Sequence, residues 1–335
     1  MKILSCVSKC FNFYPGAVDA TYIAFTEPLR SLGHDVEHFD HDALTKRVGA
    51  ERTGEMLLQM ARSNGYDVIL YVTSRQNPDA IANPIREIGR YAATVAWNCD
   101  DDLRWEKTTS RMAPYFTFMF TTYPHVYEQN RARFPHLRLS QWACLEGYGD
   151  FDRRKDLDFT FVGGVYAGRV AGMRALAKRA GLQVFGHDSG RVTRPAFLYW
   201  PGIRSLSYRI PAISGGAIPL ERVHEIWNRS RISYSPMEAA GDPAILQIKG
   251  RVFEQGLSGT MLLCRHSPNL EMYYEPGKEL VPFDDLDDCI EKVKFYLANE
   301  TARMRIARAY RDRTRAEHMW THRWQQMFKD IGLGA

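Results

Sequence analysis

Long apolar runs are missing from this 335-residue sequence, and no window approaches the roughly 20 consecutive apolar residues that a membrane helix needs. The opening run MKILSCVSKCFNF has one early lysine and only a handful of apolar residues before polar ones return, too few for the core of a secretory signal. Cysteine is sparse and unpatterned. Cys6, Cys10, Cys99, Cys144, Cys264 and Cys289 include no C-x-x-C and no paired zinc spacing, so reduced thiols and a cytoplasmic location are expected. There is no G-x-S-x-G, no H-E-x-x-H and no Walker sequence, which removes the usual grounds for a serine hydrolase, a zinc protease or an ATPase. Fixed-period repeats and low-complexity segments are also lacking.

What remains is ordinary globular composition, 45% hydrophobic and 25% charged, which leaves no reason to invoke disorder. The length exceeds what one core usually organises, so two domains of roughly 150 residues each are expected. A formal net charge of +5 suits an anionic ligand without reaching the dense basic field of a dedicated nucleic-acid binder. In the most basic run, RMRIARAYRDRTRAEH, Arg303, Arg308, Arg311 and Arg315 fall at helical spacing and read as one solvated face.

Apolar strand-like runs alternate with helical ones along the first half. KILSCV, HDVEHFD, YDVILYVTS, TVAWNC and YFTFMFTT read as strands. TYIAFTEPLRSLG, GEMLLQMARSNG, NPIREIGRYA and PHVYEQNRARF read as helices, and LRLSQWACL closes the series. The polar stretch EGYGDFDRRKDLD then serves as a linker. A second series follows: FTFVGGVY, LQVFG, RISYSP and TMLLC as strands, with AGRVAGMRALAKRAG and a segment from about Leu286 to Tyr296 as helices. This rhythm predicts two facing Rossmann-like α/β domains with parallel sheets, residues 1–150 and 151–317. In such sheets ligands sit beyond the carboxyl ends of the strands.

Three stretches could carry chemistry there. In FVGGVYAGR an apolar strand ends at Gly163 and Gly164. Glycine lets backbone amides approach a phosphate, and Arg169 could pair with a diphosphate through its guanidinium fork; a tight turn with an exposed arginine is the plain alternative. In QIKGRVFEQGLSGTMLL, Glu254 could accept hydrogen bonds from the vicinal hydroxyls of a ribose, with Lys249 and Arg251 offsetting diphosphate charge. An ordinary first-turn glutamate is equally compatible. In NCDDD, Asp100, Asp101 and Asp102 follow a strand; they could cap a helix, orient an acceptor or hold a divalent ion. A second nucleotide-type domain with its own cations makes a metal redundant, so none is expected. Asp100 and Asp101 are the candidates for a general base. His187, just past a strand end, is a candidate donor contact. His318 and His322, four apart on what reads as one helix face, suit surface or packing roles. Aromatic runs such as FLYW at 197–200 could stack on rings, with core packing the default.

RVFEQGLSGTMLLC, followed by NLEMYYEPGKELVPFDDLDDCIEKVKFYL, resembles the C-terminal signature of group 1 glycosyltransferases, especially a spore-maturation-protein-like branch. FVGGVYAGR, LRSLGHDVEHFD and VAWNCDD extend the likeness more loosely. The resemblance implies the GT-B fold, a nucleotide-diphosphate-sugar as donor substrate with no resident cofactor, and an acceptor not named by the sequence. It implies that Glu254 binds ribose, that Arg169 and Lys249 bind donor phosphates, and that Ser235 and Gly259 sit near the donor. It also implies that the tail, residues 318–335, crosses back onto the first domain. The Glu-x7-Glu motif of related enzymes would need an acid at 246, where this chain has Leu246. Transfer of a sugar to an acceptor hydroxyl is therefore the expected function. A sugar-nucleotide epimerase and a non-catalytic binding module are the rivals, and a modified nucleic acid is a minor acceptor alternative.

Overall fold

The computed structural model describes residues 1–10, 17–72, 79–199, 216, 218–239 and 244–334, and Trp200 of the FLYW run lies outside them. The chain divides into two compact units, one formed by Met1–Leu145 with Trp320–Ala335 and the other by Glu146–Met319.

The first unit is built on a six-stranded, wholly parallel sheet. Its strands are β1 (Lys2–Cys6), β2 (Asp35–His38), β3 (Val68–Val72), β4 (Ala93–Asn98), β5 (Phe118–Thr121) and β6 (Leu137–Leu139), in the order β2-β1-β3-β4-β5-β6. The apolar run VILYV of β3 is buried over its first four residues, as a strand covered on both faces must be. TYIAFTEPLRSLG forms two short helices, Ala20–Ala24 and Glu27–Ser31, rather than one. Pro28 has no N–H to give and sits in the first turn of the second helix, where none is needed, so the first helix cannot run through it.

The last helix, Trp320–Asp330, belongs to this unit. Trp324 donates its indole N–H to the Ala24 carbonyl at 2.8 Å and meets Phe25 edge-on, 4.7 Å between centroids. Trp97, Trp142 and Trp320 continue the cluster with edge-to-face contacts. His318 and His322 do not share a helix face. The helix Glu300–Glu317 is capped at His318 and a new one begins at Trp320, across the boundary between the units. His318 is buried among Phe253, Tyr273 and Tyr274, with Nε2 2.7 Å from the Tyr273 carbonyl.

The second unit holds a five-stranded parallel sheet: β7 (Leu157–Val162), β8 (Gln183–Phe185), β9 (Ser230–Ser235), β10 (Met261–Arg265) and β11 (Val281–Phe283), ordered β11-β10-β9-β7-β8. Phe159 and Phe161 of β7 join one apolar cluster, while Val162 joins another with Ile226 and Trp227 of the helix Leu220–Arg229. The alternation shows a strand covered on both faces. From β7 the chain steps outward to β8 and then returns to the other side of β7 as β9, so the connection reverses between β7 and β9. Ligands of doubly wound sheets collect at the carboxyl edge of such a reversal. In the helix Glu300–Glu317 the arginines do not share one solvated face. Arg308 and Arg315 are exposed, but Arg303 is buried and donates to the Tyr296 carbonyl at 2.7 Å. A long guanidinium stem can follow apolar surface to reach such a carbonyl.

Candidate functional site

The loops at the carboxyl ends of β7 and β9 gather a buried cluster of cations. Gly163, the first residue after β7, has φ +142, and its N–H donates to the Phe185 carbonyl at 3.0 Å. A Cβ on Gly163 would stand 2.6 Å from Nη2 of Arg251. The neighbouring loop presses equally close, since a Cβ on Gly186 (φ +105) would stand 2.9 Å from the Gly163 carbonyl oxygen. Glycine is required at both positions, and what occupies the space it leaves at Gly163 is a guanidinium.

Arg251 opens the short helix Arg251–Glu254, its guanidinium carbon 4.5 Å from the centroid of Phe161. Its Nη1 is buried and has no hydrogen-bond partner. Burial first, and then the charge of Arg169, push the Arg251 pKa down to about 10, against the pull of Glu254. The group stays protonated at neutral pH, a cation lacking a full set of acceptors.

Arg169 ends the turn Ala167–Arg169 and is itself buried. Its Nη2 donates to the backbone carbonyl of Glu238, its Nη1 reaches the Gly164 carbonyl at 3.5 Å, and its guanidinium lies 4.9 Å from the Tyr166 ring. Burial lowers its pKa, and the Glu238 carboxylate opposes that shift. Arg169 Nε is likewise buried without a hydrogen-bond partner. Two buried like charges side by side, with Nη1 of Arg251 unused, form an arrangement that an anion would relieve.

Of the residues expected from sequence, the structure thus brings together Gly163, Arg169 and Arg251, with the Gly164 carbonyl on Arg169 and Glu254 within electrostatic reach of Arg251. Lys249 precedes this helix and is half-buried. His187 follows β8; its ring is half-exposed, with Nε2 3.8 Å from the Asp188 carboxylate, and its carbonyl accepts from Val165 N at 2.9 Å. Ser235 ends β9 but is fully buried, its hydroxyl donating to Met237 Sδ at 3.4 Å, a packing contact. Gly259 is not part of the group. It precedes β10, at the amino end of the sheet, where a Cβ would lie 2.6 Å from the Phe151 carbonyl oxygen and 3.0 Å from Lys155 Nζ.

Glu238 and Arg265 escaped the sequence reading. Glu238 lies three residues past β9, bridged across the chain to Leu246, and Oε1 accepts from Arg265 Nη1 at 2.9 Å. The one signal available was an acid just beyond a parallel strand end.

In the first unit Asp100 and Asp101 follow β4. Asp100 is partly exposed and pairs with Arg104 at 3.0 Å. Asp101 is buried and accepts from Thr109 Oγ1 at 2.7 Å, a residue brought back by the π-helical turn Trp105–Thr109. Burial raises the Asp101 pKa to about 6, with the Thr121 and Thr109 hydroxyls opposing the rise. Among the described residues, no three His, Cys, Asp or Glu side chains converge as a metal site would require.

Two parallel-sheet α/β units, of six and five strands, are the architecture of the GT-B fold. Solved structures agree on the fold. Sucrose-phosphate synthase from Thermosynechococcus elongatus superposes with a TM-score of 0.63 at 12% identity, covering 99% of each chain. Anabaena HepE, crystallised with UDP-glucose, gives 0.62 at 12%, again over 99% of each. A putative UDP-N-acetylglucosamine 2-epimerase from Listeria monocytogenes gives 0.52 at 9%, over 92% of this chain and 90% of that one. No curated protein matches by sequence. The profile of the glycosyl transferase-like family matches residues 153–329, and the chain belongs to that family.

Proposed function

We propose that this glycosyltransferase moves a hexosyl or N-acetylhexosaminyl group from a nucleotide-diphosphate-sugar to an acceptor hydroxyl, with UDP as the first nucleotide to test. The observation carrying this reading is Arg251, a buried cation packed against Gly163 and beside Arg169, whose Nη1 has no hydrogen-bond partner. The crystallised HepE complex with UDP-glucose supports the choice of UDP. The run RVFEQGLSGTMLLC supports placing the chain in the spore-maturation-protein-like branch of the family.

In this reading residues 151–317 bind the donor, and residues 1–150 with the tail 318–335 present the acceptor. Arg251, Arg169 and Lys249 hold the diphosphate and stabilise the negative charge that grows on it as the sugar leaves. No resident cofactor is needed, because these cations supply the charge that a metal would otherwise bring. Glu254 takes the ribose hydroxyls. In the first unit Asp101 is the preferred base over Asp100, because it is buried beside a fixed hydroxyl and its pKa of about 6 leaves it ionised yet basic near neutrality. The acceptor classes to test are a glycan, a small molecule and a modified nucleic acid; among the described residues no helix is long and apolar enough to cross a membrane, and a cytoplasmic setting is part of the proposal.

Thermal melts with UDP, GDP, TDP and CMP, each alone and as its sugar conjugate, test the reading on wild type and Glu254→Ala. The expected result is a shift with one nucleotide series that shrinks in the variant; a shift unchanged by the substitution removes Glu254 from the site. The Listeria neighbour named as an epimerase keeps a second reading open. Incubation of the protein with UDP-glucose or UDP-N-acetylglucosamine and no acceptor separates the two, since isomerised donor would favour epimerisation.

A further inference from the structure

Beside the two arginines the site holds a carboxylate whose second oxygen has no hydrogen-bond partner. Glu238 Oε1 is taken by Arg265 Nη1 at 2.9 Å, while Oε2 is buried without a partner and faces Arg169 Nε, 4.0 Å away and also without one. That separation is too long for a direct hydrogen bond. A single hydroxyl satisfies both atoms, its oxygen accepting from Nε and its hydrogen going to Oε2, with about 2.8 Å to each. A water molecule has the same capacity, as has any hydroxyl of a nucleotide-sugar. A phosphate or carboxylate oxygen brings no proton for Oε2 and meets it as a like charge, and an ammonium has no lone pair for Nε.

The charges point the same way. Of the charges shown together, Arg169, Arg251 and Arg265 stand with the carboxylates Glu238 and Glu254, and the Glu238 carboxylate would meet a further anion as a like charge. Arg265, the more exposed of the two arginines that share Glu238, is already neutralised by it.

We infer that Glu238 determines donor specificity: it takes one hydroxyl of a neutral sugar and turns away donors whose sugar bears a carboxylate. The inference rests on the donor-site reading above. Replacing the carboxylate by an amide would leave the diphosphate grip in place while freeing the Arg265 charge for an acidic sugar.

The test is calorimetric titration of UDP, UDP-glucose and UDP-glucuronate into wild type, Glu238→Gln and Arg265→Gln, each first checked for a cooperative melt. Wild type is expected to bind UDP-glucose at least tenfold more tightly than UDP-glucuronate. In Glu238→Gln that preference falls below threefold or reverses, while UDP alone still binds. In Arg265→Gln, which leaves the Glu238 charge with Arg169 alone to offset it, the preference for the neutral sugar widens. Equal binding of the two sugars by wild type, or a preference unchanged in both variants, overturns the inference with the donor site intact. If UDP fails to bind wild type, the donor reading itself falls, and this inference with it.

Discussion

The guanidinium of Arg251 fills the space that a side chain on Gly163 would need: a Cβ there would lie 2.6 Å from Nη2, at a φ of +142 that L residues rarely adopt. Gly163→Ala is therefore expected to cost about 1–3 kcal/mol of stability through backbone strain and to weaken UDP binding at least tenfold by displacing Arg251. Urea unfolding together with UDP titration checks both; an alanine variant that binds UDP like wild type would show that the contact has no bearing on the ligand.

Arg251 is held at a cost, buried beside Arg169 with the N–H groups of Nη1 unused. Arg251→Met keeps the contact with Phe161 and removes the charge. The variant is expected to be at least as stable as wild type without ligand, because a buried charge with an unused donor group is removed, and to lose the stabilisation that UDP gives wild type. Stability kept while the ligand response is lost is the mark of a functional charge. A variant that is both less stable and still responsive to UDP would make Arg251 a structural residue.

Asp101 carries a sign that can be worked out. Its carboxyl keeps its proton in the folded chain up to about pH 6, against 3.8 for the free group, so folded molecules hold more protons between those values and stability falls as pH rises through that window. Above it the ionised group costs about 3 kcal/mol. Asp101→Asn should then be more stable than wild type at pH 8 and lose that advantage near pH 4. If Asp101 is the base, wild-type turnover rises through about pH 6 and the variant loses roughly 10²–10⁴ of it. A variant with normal turnover moves the role elsewhere, Asp100 being next.

Lys155 behaves in the opposite sense. Its Nζ donates to the carbonyls of Asn228 and Ser258, 2.6 Å each, and burial pushes its pKa from 10.5 down to about 8. Between those values the unfolded chain binds more protons, so this group makes stability rise with pH. Buried cysteines and tyrosines with raised pKa pull the other way, so the observable is a difference. Wild type minus Lys155→Met should become more favourable from pH 7.5 to pH 10 in urea unfolding, and a flat difference would contradict the assignment.

Much of the architecture was legible because a strand covered on both faces must be apolar throughout, and runs such as VILYV and FTFV declare themselves. A break such as the one before Pro28 was legible in principle from the ring alone. Other features needed the third dimension. The burial of Arg303 depends on a carbonyl of the preceding helix, and the separation of His318 from His322 on a helix cap between units. Gly259 was misplaced because its sequence neighbours, Arg251 and Glu254, lie towards the ligand edge, whereas the chain has returned to the amino end of the sheet by the time β10 begins. Glu238 was invisible because its meaning comes from Arg169 and Arg265, 69 and 27 residues away.

The most direct measurement is a crystal structure of the protein soaked with UDP. The account predicts phosphate oxygens within hydrogen-bond distance of Arg251 Nη1 and the Arg169 guanidinium beside Gly163, with the ribose on Glu254. A diphosphate bound away from the carboxyl ends of β7 and β9, with Arg251 Nη1 still without a hydrogen-bond partner, would contradict it.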